Sequence, residues 1–178
     1  MKVKIGLLVV SLLVLSCKPS ADSARDLGFS LTPAKESQKN YSESVLAGHF
    51  LGKNWSAVSA VARPFGVDRN QIAIEFYDFV ASISCNAVFP SQPYASIVLP
   101  KNITIAEYTF DLRNIKGNGE PVVFVDPKTN YNLVSEQTKL RVNSIDATGF
   151  EISLYVFAID TTALTSEING RIKVQYCK

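Results

Sequence analysis

Cysteine and histidine are the side chains most often used for metal, redox and nucleophilic chemistry, and this chain of 178 residues holds three of the first and one of the second. Cys17, Cys85 and Cys177 lie far apart, so no Cys-x-x-Cys spacing offers a redox pair or a zinc knuckle. A single histidine, His49, excludes a multi-histidine metal site and leaves any Ser-His-Asp arrangement hanging on one imidazole. His49 sits between Gly48 and Phe50 in a strand-like stretch and reads as a partly exposed strand residue. No Gly-x-Ser-x-Gly elbow, Ser-x-x-Lys pair, phosphate loop or dinucleotide fingerprint is present. Carboxylates are scattered singly, so a glycosidase pair could arise only through folding. Asp126-Pro-Lys-Thr-Asn130-Tyr-Asn132 offers oxygen ligands but lacks the acidic density and glycine of a calcium loop, and reads as an Asx-rich turn. Neither a metal nor a cofactor is expected.

Two other sets of side chains could carry binding. Phe65, Phe89, Tyr94 and Tyr131 sit among turn residues, where loops present recognition surfaces, although such aromatics often fold back over the core. Lys139, Arg141, Arg171 and Lys173 alternate outward on two expected strands. If those strands are neighbours, the four cations form a basic patch suited to anionic lipid or polysaccharide.

The elements that must position these groups are strands. The chain is rich in Val, Ile, Phe and Tyr, with one Met and one Trp, and that composition suits pleated sheet. Phe150, Ile152, Leu154, Val156 and Ala158 form one face of a strand with Glu151, Ser153 and Tyr155 opposite. Ile168, Ile172, Val174 and Tyr176 alternate with Glu167, Asn169, Arg171, Lys173 and Gln175, and Ile72, Ile74 and Phe76 with Glu75 and Tyr77. Weaker runs cover residues 54–62, 95–99, 105–112, 121–126 and 140–145. Asp146-Ala147-Thr148-Gly149 reads as a tight hairpin, Lys116-Gly117-Asn118-Gly119 as another turn, and Arg63-Pro64-Phe65-Gly66 as the opening of a longer loop. The expectation is one all-β domain over residues 44–178, a sandwich or closed antiparallel barrel of about eight or nine strands.

The N-terminus differs in kind. Behind Lys2 and Lys4 an apolar run from Ile5 to Leu15 ends in Val14-Leu15-Ser16-Cys17. This resembles the lipobox signal peptides of bacterial lipoprotein precursors. The resemblance implies a signal peptide over residues 1–16, cleavage before Cys17 and a diacylglycerol thioether on Cys17, which makes the membrane a partner through that lipid. The apolar run is shorter than the roughly 20 residues of a spanning helix. Residues 17–43 bear Ser, Lys and Asp and are broken by Pro19 and Pro33, as in a largely disordered tether, with a short helix around 34–41 weakly signalled. Lys18, rather than the aspartate that marks inner-membrane retention in the lipoproteins this start resembles, favours the outer membrane of the cell envelope.

With Cys17 assigned to lipid, Cys85 and Cys177 remain as a pair, and an exported chain meets an oxidising compartment, so a disulfide between them is expected. Removal of Lys2 and Lys4 takes the formal charge from +2 to zero, which gives no reason to expect nucleic acid as a partner. Gly48-x-x-x-Gly52-x-x-Trp55, Cys85 and Asn169-Gly170-x-Ile172-x-Val174-x-x-Cys177 are similar to a pattern of uncharacterised envelope lipoproteins. That resemblance implies a β domain with a disulfide and no activity, with the glycines permitting turns and bulges and Trp55 plugging the core. The functional expectation is a non-catalytic binding or structural module whose partner is another envelope protein, anionic lipid or polysaccharide. A barrel carrying a small apolar ligand, or a hydrolase with an unrecognised carboxylate site, are the rivals.

Overall fold

The computed structural model describes residues 40–50, 52–85, 90–112 and 119–178. The expected signal peptide, the tether up to residue 39 and most of the weakly signalled helix lie outside the described residues. Eleven strands follow in chain order: β1 Ala47–Phe50, β2 Lys53–Ser56, β3 Ser59–Phe65, β4 Gln71–Tyr77, β5 Tyr94–Pro100 and β6 Glu107–Asp111. After them come β7 Val123–Asp126, β8 Tyr131–Val134, β9 Gln137–Asp146, β10 Gly149–Ile159 and β11 Thr165–Tyr176. The described residues contain no helix, so the all-β reading holds.

All the strands belong to one sheet. Its main path has nine strands in the order β6-β9-β10-β11-β3-β4-β5-β7-β8, with the short β1 and β2 attached beside β11. One joint on that path is parallel, Val174 to Tyr176 of β11 against Ala60 to Ala62 of β3. β11 makes this possible by its length: its first half pairs with β1 and its last residues with β3.

Period-two patterning places one side of every long strand indoors. A single row across the sheet reads Phe150, Val174, Ala60, Phe76, Ala95, Phe124 and Leu133, all buried. Large and small side chains alternate along much of it, which lets a curled sheet fill its own concavity without voids. The curl brings distant strands together: Phe50 of β1 meets Phe124 of β7 with ring centroids 5.2 Å apart. At the far end, Ser135 and Glu136 turn the chain from β8 into β9, donating to the carbonyls of Val122 and Phe157. Trp55 is buried in this core, as a plug should be.

Local chemistry explains the joints. In the β9–β10 hairpin, Asp146 Oδ1 accepts from the Thr148 amide at 2.7 Å, the Thr148 hydroxyl at 2.6 Å and the Gly149 amide at 3.0 Å. Asp126 caps its own turn the same way, accepting from the Lys128 amide, and Asn130 takes a left-handed φ of 53° before β8 begins. A Cβ on Gly48 would stand 1.9 Å from the Glu167 carbonyl oxygen, so β1 can approach β11 only through glycine.

Three expectations change in detail. Arg63-Pro64-Phe65 does not open a loop: it lies in β3, paired with Gln71, Ile72 and Ala73 of β4, and the turn is confined to residues 66–70. Pro64 is tolerated there because a strand residue needs its N–H only where it faces a neighbour. Second, Tyr131 and Asn132 belong to β8 rather than to the preceding turn. Third, residues 40–43 do not behave as tether, because Ser42 and Asn40 are hydrogen-bonded to the Asn169 side chain.

Candidate functional site

The convex side of the sheet carries the polar residues, and two stretches of chain lie against it. The first is a strap over β3 and β4, residues 78–85. Ser59 Oγ donates to the Phe79 carbonyl at 2.6 Å and accepts from the Ala81 amide at 3.0 Å. Cys85 is joined to Cys177 by a disulfide (S–S 2.06 Å, Cα–Cα 4.8 Å), and the Lys178 amide donates to the Ile83 carbonyl. The strap therefore shares the C-terminus with β11, and the pairing of Cys85 with Cys177 is what holds it there.

Beneath the strap lies a buried ionic cluster. Arg63, only 4% exposed, donates from Nε to Glu75 Oε2 at 2.8 Å and from Nη2 to the Ser82 carbonyl at 2.7 Å. The Tyr77 hydroxyl donates to the same Glu75 oxygen. Burial, and then the Glu75 carboxylate, push the Tyr77 phenol well above its ordinary range, against the opposing pull of Arg63. Tyr94 is raised for the same two reasons, burial first. A charge buried this fully persists only because it is paired and hydrogen-bonded. The arrangement has neither a nucleophile nor an open approach, and it reads as architecture.

The second stretch is an arm, Asn40–Val45, lying on the face made by β6, β9, β10 and β11. The cross-strand row here runs Glu107, Arg141, Ser153, Arg171. Arg141 and Arg171 are thus separated by two strand spacings, about 10 Å, with only a serine between them. A bulge between Glu151 and Ile152 on the pairing with β9 leaves Asn143 unpaired. Its side chain bonds Arg141 Nε, Ser153 Oγ and Glu151. From the arm, the Tyr41 ring stacks on the Arg141 guanidinium at 4.8 Å and Glu43 pairs with Arg171 Nη2. Burial, followed by the nearby Glu107 carboxylate, raises the Tyr41 phenol.

The basic patch expected from Lys139, Arg141, Arg171 and Lys173 is therefore corrected. Their strands β9 and β11 are not neighbours, because β10 runs between them. Carboxylates are interleaved as well: Glu107 opposite Arg141, Glu43 on Arg171, and Asp146 on Lys173 at 2.9 Å. Lys139 lies opposite Tyr155 and Thr109. The Asp146 carboxyl is held well below its usual range by the Thr148 hydroxyl, then by Lys173 and the Thr148 amide. The face is a mixed-charge lattice.

The aromatics expected on loops occupy strand ends. Phe65 closes β3 and is 49% exposed, whereas Tyr94 opens β5 with its ring 5.8 Å from that of Tyr77. Tyr131 opens β8 and packs on the core. Phe89 and Cys17 lie outside the described residues. His49 is exposed on β1, in register with Glu167 and Asn54. Among the described residues, a hollow of about 380 Å³ lies against Trp55 and Gly48 and another of about 400 Å³ against Tyr94, Val125 and Asn132, and both are open to the surface. Among the described residues no group of three His, Cys, Asp or Glu is placed to hold a metal ion, and no helix is long and apolar enough to cross a membrane.

Sequence reasoning missed the Arg63–Glu75–Tyr77 cluster and the role of the arm. Pairing 59–65 with 71–77 as a hairpin would have set Arg63 diagonal to Glu75 and revealed the first. Nothing local marks the second. Compared with protein-family models, curated proteins and solved structures, the chain matches none.

Proposed function

We propose that this chain is an exported, lipid-anchored envelope module that works by non-catalytic surface recognition. One observation carries the reading. The concave side of the sheet is filled mainly by apolar side chains, with Ser135, Thr138 and Ser166 buried among them, while the charged groups of the described residues gather on the convex side, as a lattice of arginines, carboxylates and amides in which no nucleophile–base pair is placed. The lipobox-like start supplies the anchor through Cys17, with the outer membrane favoured by Lys18. Two or three acyl chains at roughly 0.8 kcal/mol per buried methylene make such an anchor stable.

The test separates anchor from recognition. Cys17→Ala should move the chain from the detergent phase to the soluble fraction, and the released chain should co-sediment with isolated envelopes through its convex face. A Cys17→Ala chain that stays in the detergent phase contradicts the anchor. A hydrolytic activity lost on His49→Ala or Glu75→Gln contradicts the non-catalytic reading.

A further inference from the structure

We propose that the row Arg141–Ser153–Arg171 is a binding site for a phosphate-class oxyanion, and that Glu43 of the arm masks it. The proposal rests on the reading of this face as the recognition surface and names what that surface takes.

The register places the two guanidinium groups on one face, two strands apart, with the small Ser153 between them. Ser153 is fully buried and the Tyr41 ring lies on the Arg141 guanidinium, so the two stems can converge on a ligand only when the arm gives way with Glu43. The bulged Asn143 fixes Arg141 through Nε at 3.2 Å and holds the Ser153 hydroxyl at 3.0 Å. Asn143 spends its amide on Glu151 and Ser153, and Arg141 Nε and the Ser153 hydroxyl are spent on Asn143, so the donors left for a ligand are the terminal nitrogens of the two guanidinium groups and the unpartnered Arg171 Nε, still more than the two oxygens of one carboxylate can use. A tetrahedral phosphate matches that number better.

The arm occupies the site poorly. Glu43 reaches Arg171 through Nη2 alone, and Arg171 Nε is buried without a partner. Guanidinium recognises an oxyanion best through two parallel N–H groups, so a carboxylate using one leaves half the fork unmatched. Both partners stay wet, Arg171 at 36% and Glu43 at 70% side-chain exposure, so the ion pair is screened and exchangeable. Leu46, fully buried at the end of the arm, forms a fixed pivot behind the displaceable residues.

With the arm seated, Arg171 is answered by Glu43, Arg141 faces Glu107, and Lys173 is held by Asp146. Lifting Glu43 leaves Arg171 uncompensated, while Glu107 and Glu151 remain in place and keep the site to one anion. A lipid headgroup and free phosphate share this chemistry.

Calorimetric titration of inorganic phosphate into the whole chain at low salt tests the site. Glu43→Gln should tighten binding about two- to fivefold, the effect of removing one exposed ion-pair competitor. Arg171→Lys keeps the charge but removes the fork, and should weaken binding about tenfold or more. Unchanged thermal unfolding of both variants would show that the fold is intact. The same variants in a Cys17→Ala chain, mixed with phosphatidylcholine vesicles with and without phosphatidylglycerol, identify the source. Phosphatidylglycerol-dependent binding assigns a headgroup, and phosphate binding without it assigns the free ion. No phosphate heat in Glu43→Gln, or Arg171→Lys binding like the parent, overturns the proposal. Envelope co-sedimentation that persists in that case leaves the recognition module standing and removes only the anion site.

Discussion

The two coverings of the convex face solve one problem differently. Under the strap, Arg63 is buried, bonded at Nε and Nη2, and closed over by a segment that a disulfide ties to the C-terminus. Under the arm, the Arg171 side chain is about one-third exposed and gripped by one carboxylate, on a segment that backbone bonds to Arg171 hold at Ser44 and Leu46 but no disulfide fastens among the described residues. A buried ion pair is intolerant of losing a partner, whereas an exposed one exchanges partners at little cost. The strap therefore makes structure and the arm makes a replaceable contact.

The largest effect should come from unfastening the strap. Cys85→Ser with Cys177→Ser opens a sequence separation of 92 residues, for which the chain-entropy model gives about 4–5 kcal/mol. Denaturant unfolding measures it, and a loss below about 1 kcal/mol would make the strap as dispensable as the arm. Close behind, Glu75→Ala strands the Arg63 charge in the interior and should cost about 3–5 kcal/mol. Replacing Arg63 and Glu75 together with apolar residues should recover much of that loss, which a double-mutant cycle would reveal.

A smaller effect is expected where β1 meets β11. Gly48→Ala puts a methyl group onto the Glu167 carbonyl and should cost about 1–3 kcal/mol through backbone displacement. By contrast, Glu43→Gln on the arm should change stability by under about 1 kcal/mol, within the range of exposed pairs.

Alkali acts on both coverings, since Tyr41 under the arm is raised as Tyr77 is under the strap. Tyr77 and Tyr94 titrate above the ordinary phenol value of 10.0, so the unfolded chain loses these protons at lower pH than the folded one. Their contribution is complete below pH 10 and is lost as pH rises past it toward the folded-state values. Unfolding midpoints should fall across that window, and Tyr77→Phe should flatten the decline.

Much of this fold is legible in sequence because burial on one side of a strand writes itself at period two. The inward set Phe150, Ile152, Leu154, Val156 and Ala158 is wholly buried, and the Asp146–Gly149 hairpin forms as its residues dictate. Strand order is not written that way. Lys139, Arg141, Arg171 and Lys173 point outward as their alternation requires, yet only long-range pairing decides that β10 separates them and that Glu107 and Glu43 answer two of them. Arg63 misled for a related reason: Arg-Pro-Phe-Gly looks like a turn until β4 pairs beside it. The arm is hidden because residues 40–45 carry no period-two pattern, and their partners Arg141, Asn169 and Arg171 lie a hundred or more positions away.

Two matched amides test the contrast between the coverings most directly. Ala81 in the strap donates to Ser59 Oγ at 3.0 Å, and Ser42 in the arm donates to Asn169 Oδ1 at 2.9 Å. Amide hydrogen exchange read at both, before and after reduction with a dithiol, reports how firmly each segment is held. With the disulfide intact, Ala81 should exchange much more slowly than Ser42. Reduction should bring Ala81 toward the Ser42 rate and leave Ser42 unmoved. Equal protection before reduction, or an Ala81 rate indifferent to it, would contradict the division into a fastened strap and a replaceable arm.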